Sequence, residues 1–392
     1  WWNDVLDTVE TPDERTITFH LKAVDAWTFS TTNAGSPIGG SILPVEHARD
    51  PALMDANLVG SGMYELVDHA GGTNFRLNRN ENYRVPGTPK LAAIQWKLIQ
   101  AQAAALAAFS AQEIDTVAPS NKLEKDQLVQ QHGDDIEIDS ELSRAIWTVL
   151  ARGDGQWADP RVAKAISMAL NKEEMISLMA FGDGQASGPV PPTFVSYALT
   201  EDEIAETYGK FDPGEANKLL DAAGFDRSQK YDMKFIVPGD TLSQFAQICQ
   251  SQLQENLGLD IKLVGEDFGK WLGQSLYGGD FNGFITYPSL AYDDPSSYIG
   301  GYSFEIGGRP NWAGFHNETL DTMVKQQKAT LDDTEREALV KEIQLKAWEF
   351  GAPFIPTFVR VTYGAWWRYV RGRVIGRGSY GYLVGNTYVE EH

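Results

Sequence analysis

The amino-acid sequence predicts an α/β protein folded as two lobes, and three observations point there. A length of 392 residues exceeds what one simple core covers, so two compact units are expected. From residue 159 to 287 strand-like and helix-like patterns alternate, the rhythm of parallel strands joined by right-handed helical crossovers. The residues before that read instead as short strands with a single helix.

The first strand follows the turn chemistry of Pro12 and Asp13, where Thr16, Thr18 and His20 alternate with Ile17, Phe19 and Leu21. Gly60-Ser61-Gly62 leads into a second strand at Met63 to Leu66, with Phe75 to Leu77 as its partner and Ile94 to Ile99 as another. Gln102 to Gln112 has the Ala/Leu/Phe face of a helix. Asp159-Pro160 opens a longer helix through roughly Met179, Pro sitting where its missing N–H costs nothing. Asp212 caps the next helix, Pro213 starts it and Gly224 ends it. A strand at Phe235 to Val237, a helix from Leu242 to Leu257 stopped by Gly258, and a strand at Ile261 to Val264 follow. The spacing then predicts a helix over Phe268 to Tyr277 and a strand over Gly283 to Tyr287. A long amphipathic helix, Thr334 to Phe350, precedes a β-rich return at Pro353 to Val361.

Charge and composition narrow the function. With 33 basic and 54 acidic residues the net charge is −21, spread along the chain, which opposes nucleic acid and anionic lipid. Cys249 is the only cysteine, so no internal disulfide forms. The longest apolar run, around Ala103 to Ala111, is far short of the ~20 residues that span a bilayer. The chain opens on Trp1 and Trp2 without the pattern of a signal peptide, as a mature, truncated or cytoplasmic product does.

Catalytic and cofactor motifs are scarce. None of the six histidines stands at i, i+4 to another or pairs with a cysteine, so no metal site is expected. Gly376-Arg377-Gly378-Ser379-Tyr380-Gly381 spells the dinucleotide fingerprint, yet too little chain follows for its helix and second strand. No nucleophile elbow or phosphate loop occurs, and no cofactor is expected. Asp293-Asp294 is an acidic pair of the kind glycoside cleavage uses, but with Pro295 next it reads as a turn or helix start. Aromatic residues, by contrast, are abundant: Trp147, Phe268, Trp271, Tyr287, Tyr292, Tyr298, Tyr302 and Trp312 fall near strand ends or in loops. Such rings either fill the core or stack on a solute. Those between Tyr287 and Trp312 follow a strand end, where α/β folds bind ligands. The pattern favours binding over catalysis.

Seven runs in order resemble one family. TPDERTITFHL, GSGMYEL, FRLNRNENYR, PKLAAIQWKLI with AALAAFSAQEIDTV, DPRVAKAISMALNKEEMI, FDPGEANKLLDAAGF and APFIPTF resemble segments of the extracytoplasmic solute-binding proteins of ABC importers, family 5, the peptide/nickel/oligosaccharide class. The resemblance implies a type II periplasmic-binding-protein-like fold with a hinge between lobes and ligand enclosed between them. Lobe I would comprise residues 1–146, lacking its N-terminal part, together with the return 361–392; lobe II would be 147–360. It further implies a non-catalytic receptor at the periplasmic or extracellular face of the membrane, held there by a lipid anchor or by its permease. Its partners would be a peptide or oligosaccharide and the transmembrane subunits of an ABC permease. The aspartate that holds a peptide's amino group in relatives corresponds to Ala291, while Asp294-Pro295 is kept. On this reading Phe268, Trp271, Tyr287, Tyr292 and Trp312 are stacking surfaces and Asp293 is the polar determinant. A glycan-active hydrolase and a sensor or chaperone on the same fold are the alternatives.

Overall fold

The computed structural model describes residues 5–26, 43–50, 52–53, 59–70, 74–289, 294–302, 313–375 and 382–390. The chain divides into two units, a larger one of Trp1–Ser30 with Leu142–Arg360 and a smaller one of Thr31–Glu141 with Val361–His392. The sequence reading drew its lines at 146/147 and 360/361 and kept the first thirty residues with those that follow them.

The larger unit opens with an antiparallel hairpin, β1 (Leu6–Asp13) and β2 (Thr16–Leu21), in which Phe19 pairs Val9. In the smaller unit β3 (Tyr64–Ala70), β4 (Asn74–Arg79) and β5 (Ala93–Lys97) form an antiparallel meander with Phe75 opposite Trp96. Helix α1 (Gln102–Ser110), β6 (Thr116–Val117), α2 (Lys122–His132) and β7 (Ile136–Leu142) complete its first segment. Phe109, Val117, Leu128, Ile136, Ala365 and Trp367 make its core. There Trp367 stacks on Phe109 at 5.1 Å and its indole N–H donates to the Phe109 carbonyl.

The larger unit resumes with β8 (Trp147–Ala151), α3 (Pro160–Met168) and α4 (Lys172–Ala180). One helix through Met179 was expected; two form, because the first stops at Met168 and Asn171 caps the second. Its side chain accepts from the Glu174 N–H, and its own N–H donates to Gln252 Oε1 at 2.9 Å. After β9 (Gly184–Ala186), α5 (Pro213–Ala223) carries the read signals: Asp212 accepts from the Glu215 N–H, and Gly224 takes the left-handed φ of 66° that favours glycine. Then come β10 (Lys230–Ile236), α6 (Asp240–Leu257), β11 (Asp260–Glu266) and β12 (Gly283–Pro288). Helices α7 (Glu318–Ala329) and α8 (Asp333–Glu349) lead to β13 (Phe354–Trp367), residues 354–360 of which lie in this unit.

Its strands run in the order β11-β10-β12-β8-β13, with β9 beside β13. β10 pairs β11 and β12 in parallel, as the β–α–β rhythm requires. One face packs α3 to α6 through Trp147, Val149, Ile166, Phe245, Phe284 and Phe358. The other carries Leu150, Trp271, Leu276, Phe281, Ile285 and Ala313. In β13 a bulge at Thr357 breaks the alternation: Ile355 pairs Val149, Pro356 pairs Thr148, and Phe358 pairs Trp147. The Thr357 hydroxyl donates to the Trp147 carbonyl at 2.5 Å, and Ile355 and Phe358 both face the helical layer although three residues apart.

Candidate functional site

In open α/β sheets ligands bind outside the carboxyl ends of parallel strands. In the larger unit that edge is formed by the ends of β11, β10 and β12, the start of β8 and residues 358–360 of β13. Pro288 pairs Trp147 and Trp147 pairs Phe358, so the end of β12, the start of β8 and the middle of β13 share one row about 10 Å wide at ~4.8 Å per strand.

Phe268 starts the short helical turn after β11, which Asp267 caps by accepting from the Lys270 N–H at 3.1 Å. It is 59% exposed, an apolar ring presented to solvent. The regular helix expected over Phe268 to Tyr277 is instead one turn followed by a π-helical turn, Trp271–Leu276. Such turns recur at functional sites. Trp271 is only 3% exposed and packs in the core, with its ring edge-on to half-buried Tyr287 at 5.6 Å. Its indole N–H is buried and finds no acceptor among the described residues. A buried donor left unpaired costs free energy until something accepts from it. Tyr292, Asp293 and Trp312 lie outside the described residues.

The chain on either side of residues 290–293 is firmly tied. Before them, the Ser289 N–H donates to the Ile146 carbonyl at 2.8 Å and the Ile146 N–H donates to Ser289 Oγ at 2.9 Å. After them, buried Asp294 accepts from Arg336 Nη2 at 2.6 Å and from the Ser296 N–H at 2.8 Å. Burial works against the Arg336 charge, but the Asp294 hydrogen bond and carboxylate outweigh it and hold the guanidinium above its ordinary value. Asp294 is therefore a loop anchor. Sequence spacing carried no signal of this pair, since 42 residues separate its members.

At the end of β11, Glu266 accepts from the Ser275 hydroxyl at 2.5 Å and meets Lys270 at 3.1 Å and Lys234 at 3.5 Å. Burial pushes its carboxyl up, yet these partners together keep it below the ordinary range. A polar recess of about 520 Å³ opens at the opposite edge of the sheet, lined by Arg152, Asp154, Asp232, Lys234 and Asp280 among others. Its cations are already engaged: Arg152 with Asp154 and the Gly279 carbonyl, Lys234 with Ser275 and Asp280. The recess lacks the open aromatic surface of the carboxyl edge. Among the described residues no cluster of three or more His, Cys, Asp or Glu could hold a metal ion.

Residues 2–308 match the family model described as bacterial extracellular solute-binding proteins, family 5 Middle. The chain belongs to that family. A relative in it, the dipeptide-binding protein DppE of Bacillus subtilis (strain 168), is 23% identical over 312 residues, covering 76% of this chain and 55% of its own length. The chain thus spans about half of that curated relative. Solved structures share the fold. The PBP AgaA from A. tumefaciens R10, in complex with agropinic acid, superposes with a TM-score of 0.82 at 18% identity, covering 99% of this chain and 78% of AgaA. The oligopeptide-binding protein AppA of Bacillus subtilis, in complex with a nonapeptide, gives 0.79 at 19%, covering 99% and 79%. DppA of Helicobacter pylori, in complex with the peptide STSA, gives 0.79 at 20%, covering 99% and 75%. The mixed α/β periplasmic-binding-protein fold expected for a family 5 chain is the one found. No described helix is long and apolar enough to cross a membrane.

Proposed function

We propose that this family 5 chain is the solute-capturing part of an ABC importer's receptor, that its solute is a peptide, and that it works outside the cell membrane and delivers to a permease. The observation that carries this is the family match over residues 2–308. The dipeptide-binding relative and the peptide complexes on the same fold favour a peptide over an oligosaccharide, which the sequence reading had left nearly level. Nothing among the described residues of the site recommends the hydrolase alternative: Asp294, half of the acidic pair that suggested it, is bound up with Arg336.

The carboxyl edge of the larger unit is the proposed contact surface. Exposed Phe268 and half-buried Tyr287 offer ring faces, while Trp271, buried edge-on against Tyr287, supports that ring from the core. Peptide side chains bury apolar area on such rings. Tyr292, Asp293 and Trp312 enter the proposal on sequence grounds alone.

Native mass spectrometry of the purified protein tests the reading directly: retained peptide masses are expected, and retained sugars instead would overturn the solute class. Calorimetry sharpens it. Phe268→Ala should weaken binding of the retained peptide by about fivefold, one stacking contact of ~1 kcal/mol, with thermal stability unchanged. Unaltered affinity removes Phe268 from the site.

A further inference from the structure

Arg336, Arg360 and Arg373 are each buried or half-buried, yet they differ in one respect. Arg336 has Asp294, and Arg373 has Glu137 at 2.7 Å and Asp139 at 3.0 Å. Arg360, the last residue of the larger unit, has no carboxylate partner among the described residues. Its guanidinium lies over the Trp147 ring, 5.9 Å from the centroid, and Trp147 is itself a core residue stacked on Phe358. The neighbouring strand contributes Gly184, Gln185 and Ala186, none acidic. Burial alone acts on its charge, lowering its affinity for the proton, with no anion among the described residues to offset it. In a chain with 54 acidic residues to 33 basic ones, a half-buried arginine without a carboxylate is conspicuous.

Position supplies the reason. Arg360 stands two residues beyond Phe358, on the same carboxyl edge as Tyr287 and Pro288. Its backbone is fixed by β9 and by the Ser143 N–H, which donates to its carbonyl at 2.8 Å. A rigid strand and an aromatic shelf hold a planar, permanently charged fork with its donors unspent. That fork matches the two oxygens of a carboxylate. The cation–π contact supports the charge but uses none of its N–H donors.

We infer that Arg360 receives a carboxylate of the bound solute. This rests on the solute-capture reading above and specifies the ligand group that such capture requires. A peptide provides that group at its C-terminus or on an acidic side chain.

The test uses the full chain and two peptide pools. Random tripeptides without Asp or Glu are offered as free acids and as C-terminal amides, and captured peptide is quantified by mass spectrometry. The wild type should enrich acids over amides by about tenfold, the worth of one charge-assisted bidentate contact. In Arg360→Gln, checked for unchanged thermal unfolding, that ratio should fall to about one; Arg360→Lys should restore part of it. An amidated pool containing Asp and Glu separates the sources: enrichment of its acidic members, lost in Arg360→Gln, places the carboxylate on a side chain. A wild type indifferent to both kinds of carboxylate, or a preference that survives Arg360→Gln, overturns the assignment while leaving peptide capture intact. Capture of neither pool overturns the function reading, and the assignment with it.

Discussion

Two aromatic clusters, one in each unit, spend their rings differently. In the larger unit Trp157 is sealed among Phe225, Tyr231 and Phe284 in edge-to-face contacts of 4.8–5.2 Å. In the smaller unit Trp96, paired across the meander with Phe75, is 56% exposed and Phe75 38%. The same residue type therefore has opposite meanings. An indole inside a close-packed layer carries stability, whereas one on an open sheet contributes little until something covers it. Aromatic abundance in a sequence cannot distinguish the two.

The largest expected contrast tests that statement. Trp157→Ala should cost about 3–5 kcal/mol in urea unfolding, and Trp96→Ala less than about 1 kcal/mol. Equal costs would mean that the meander is covered in solution. Next, Arg336→Met leaves Asp294 buried without its cation and should destabilise the larger unit by about 3 kcal/mol. Hydrogen exchange should show the opening centred on residues 294–302 and α8; protection unchanged there would remove the ion pair's anchoring role.

A third probe is a buried amine. Lys172 is 2% exposed, hydrogen-bonded to the Ser167 carbonyl, and burial pulls its pKa down to about 7. Between about pH 7 and the ordinary lysine value near 10.5 the unfolded chain holds the proton that the folded chain has released. Stability contributed by this residue thus rises with pH across that window and is lowest below it. Lys172→Met should flatten that rise, a difference of a few kcal/mol between pH 7 and 10 in paired melts. Parallel curves would mean that water reaches the amine. The smallest effect belongs to the smaller unit. The Arg373 hydrogen bond holds the Glu137 carboxyl below its ordinary value against the opposing pull of burial. Its stabilisation is present above about pH 4.5 and fades as pH falls through the lowered pKa. Because Glu137 is a third exposed, Glu137→Gln should cost less than about 1 kcal/mol at pH 7, and less still in high salt.

What could be read from the sequence was local. Asp212, Pro213 and Gly224 announce α5 because caps act within four residues, and the alternation of Thr16 to Leu21 announces β2 for the same reason. The break between α3 and α4 was missed although Asn171 and Glu174 have cap spacing, because the apolar period runs through it and Gln252 completes the break from 81 residues away. Trp271 was read as a stacking surface from its place one turn after Phe268. The π-helical turn and the sheet behind it make the ring part of the core and bury its N–H with it. The Asp294–Arg336 anchor and the unpartnered state of Arg360 are facts about distant residues. No window of sequence contains them.

The extra residue in β13 decides on which side of the sheet the Arg360 charge emerges. Strict alternation from Ile355 would send position 360 to the side of Leu150 and Trp271; the bulge at Thr357 sends it to the side of Trp147. Handedness of the charge is thus a matter of counting, independent of the arginine itself. Drawing Thr357 into the regular ladder would carry the cation across the layer, whereas deleting it would straighten the strand and leave Arg360 on the side of Trp147.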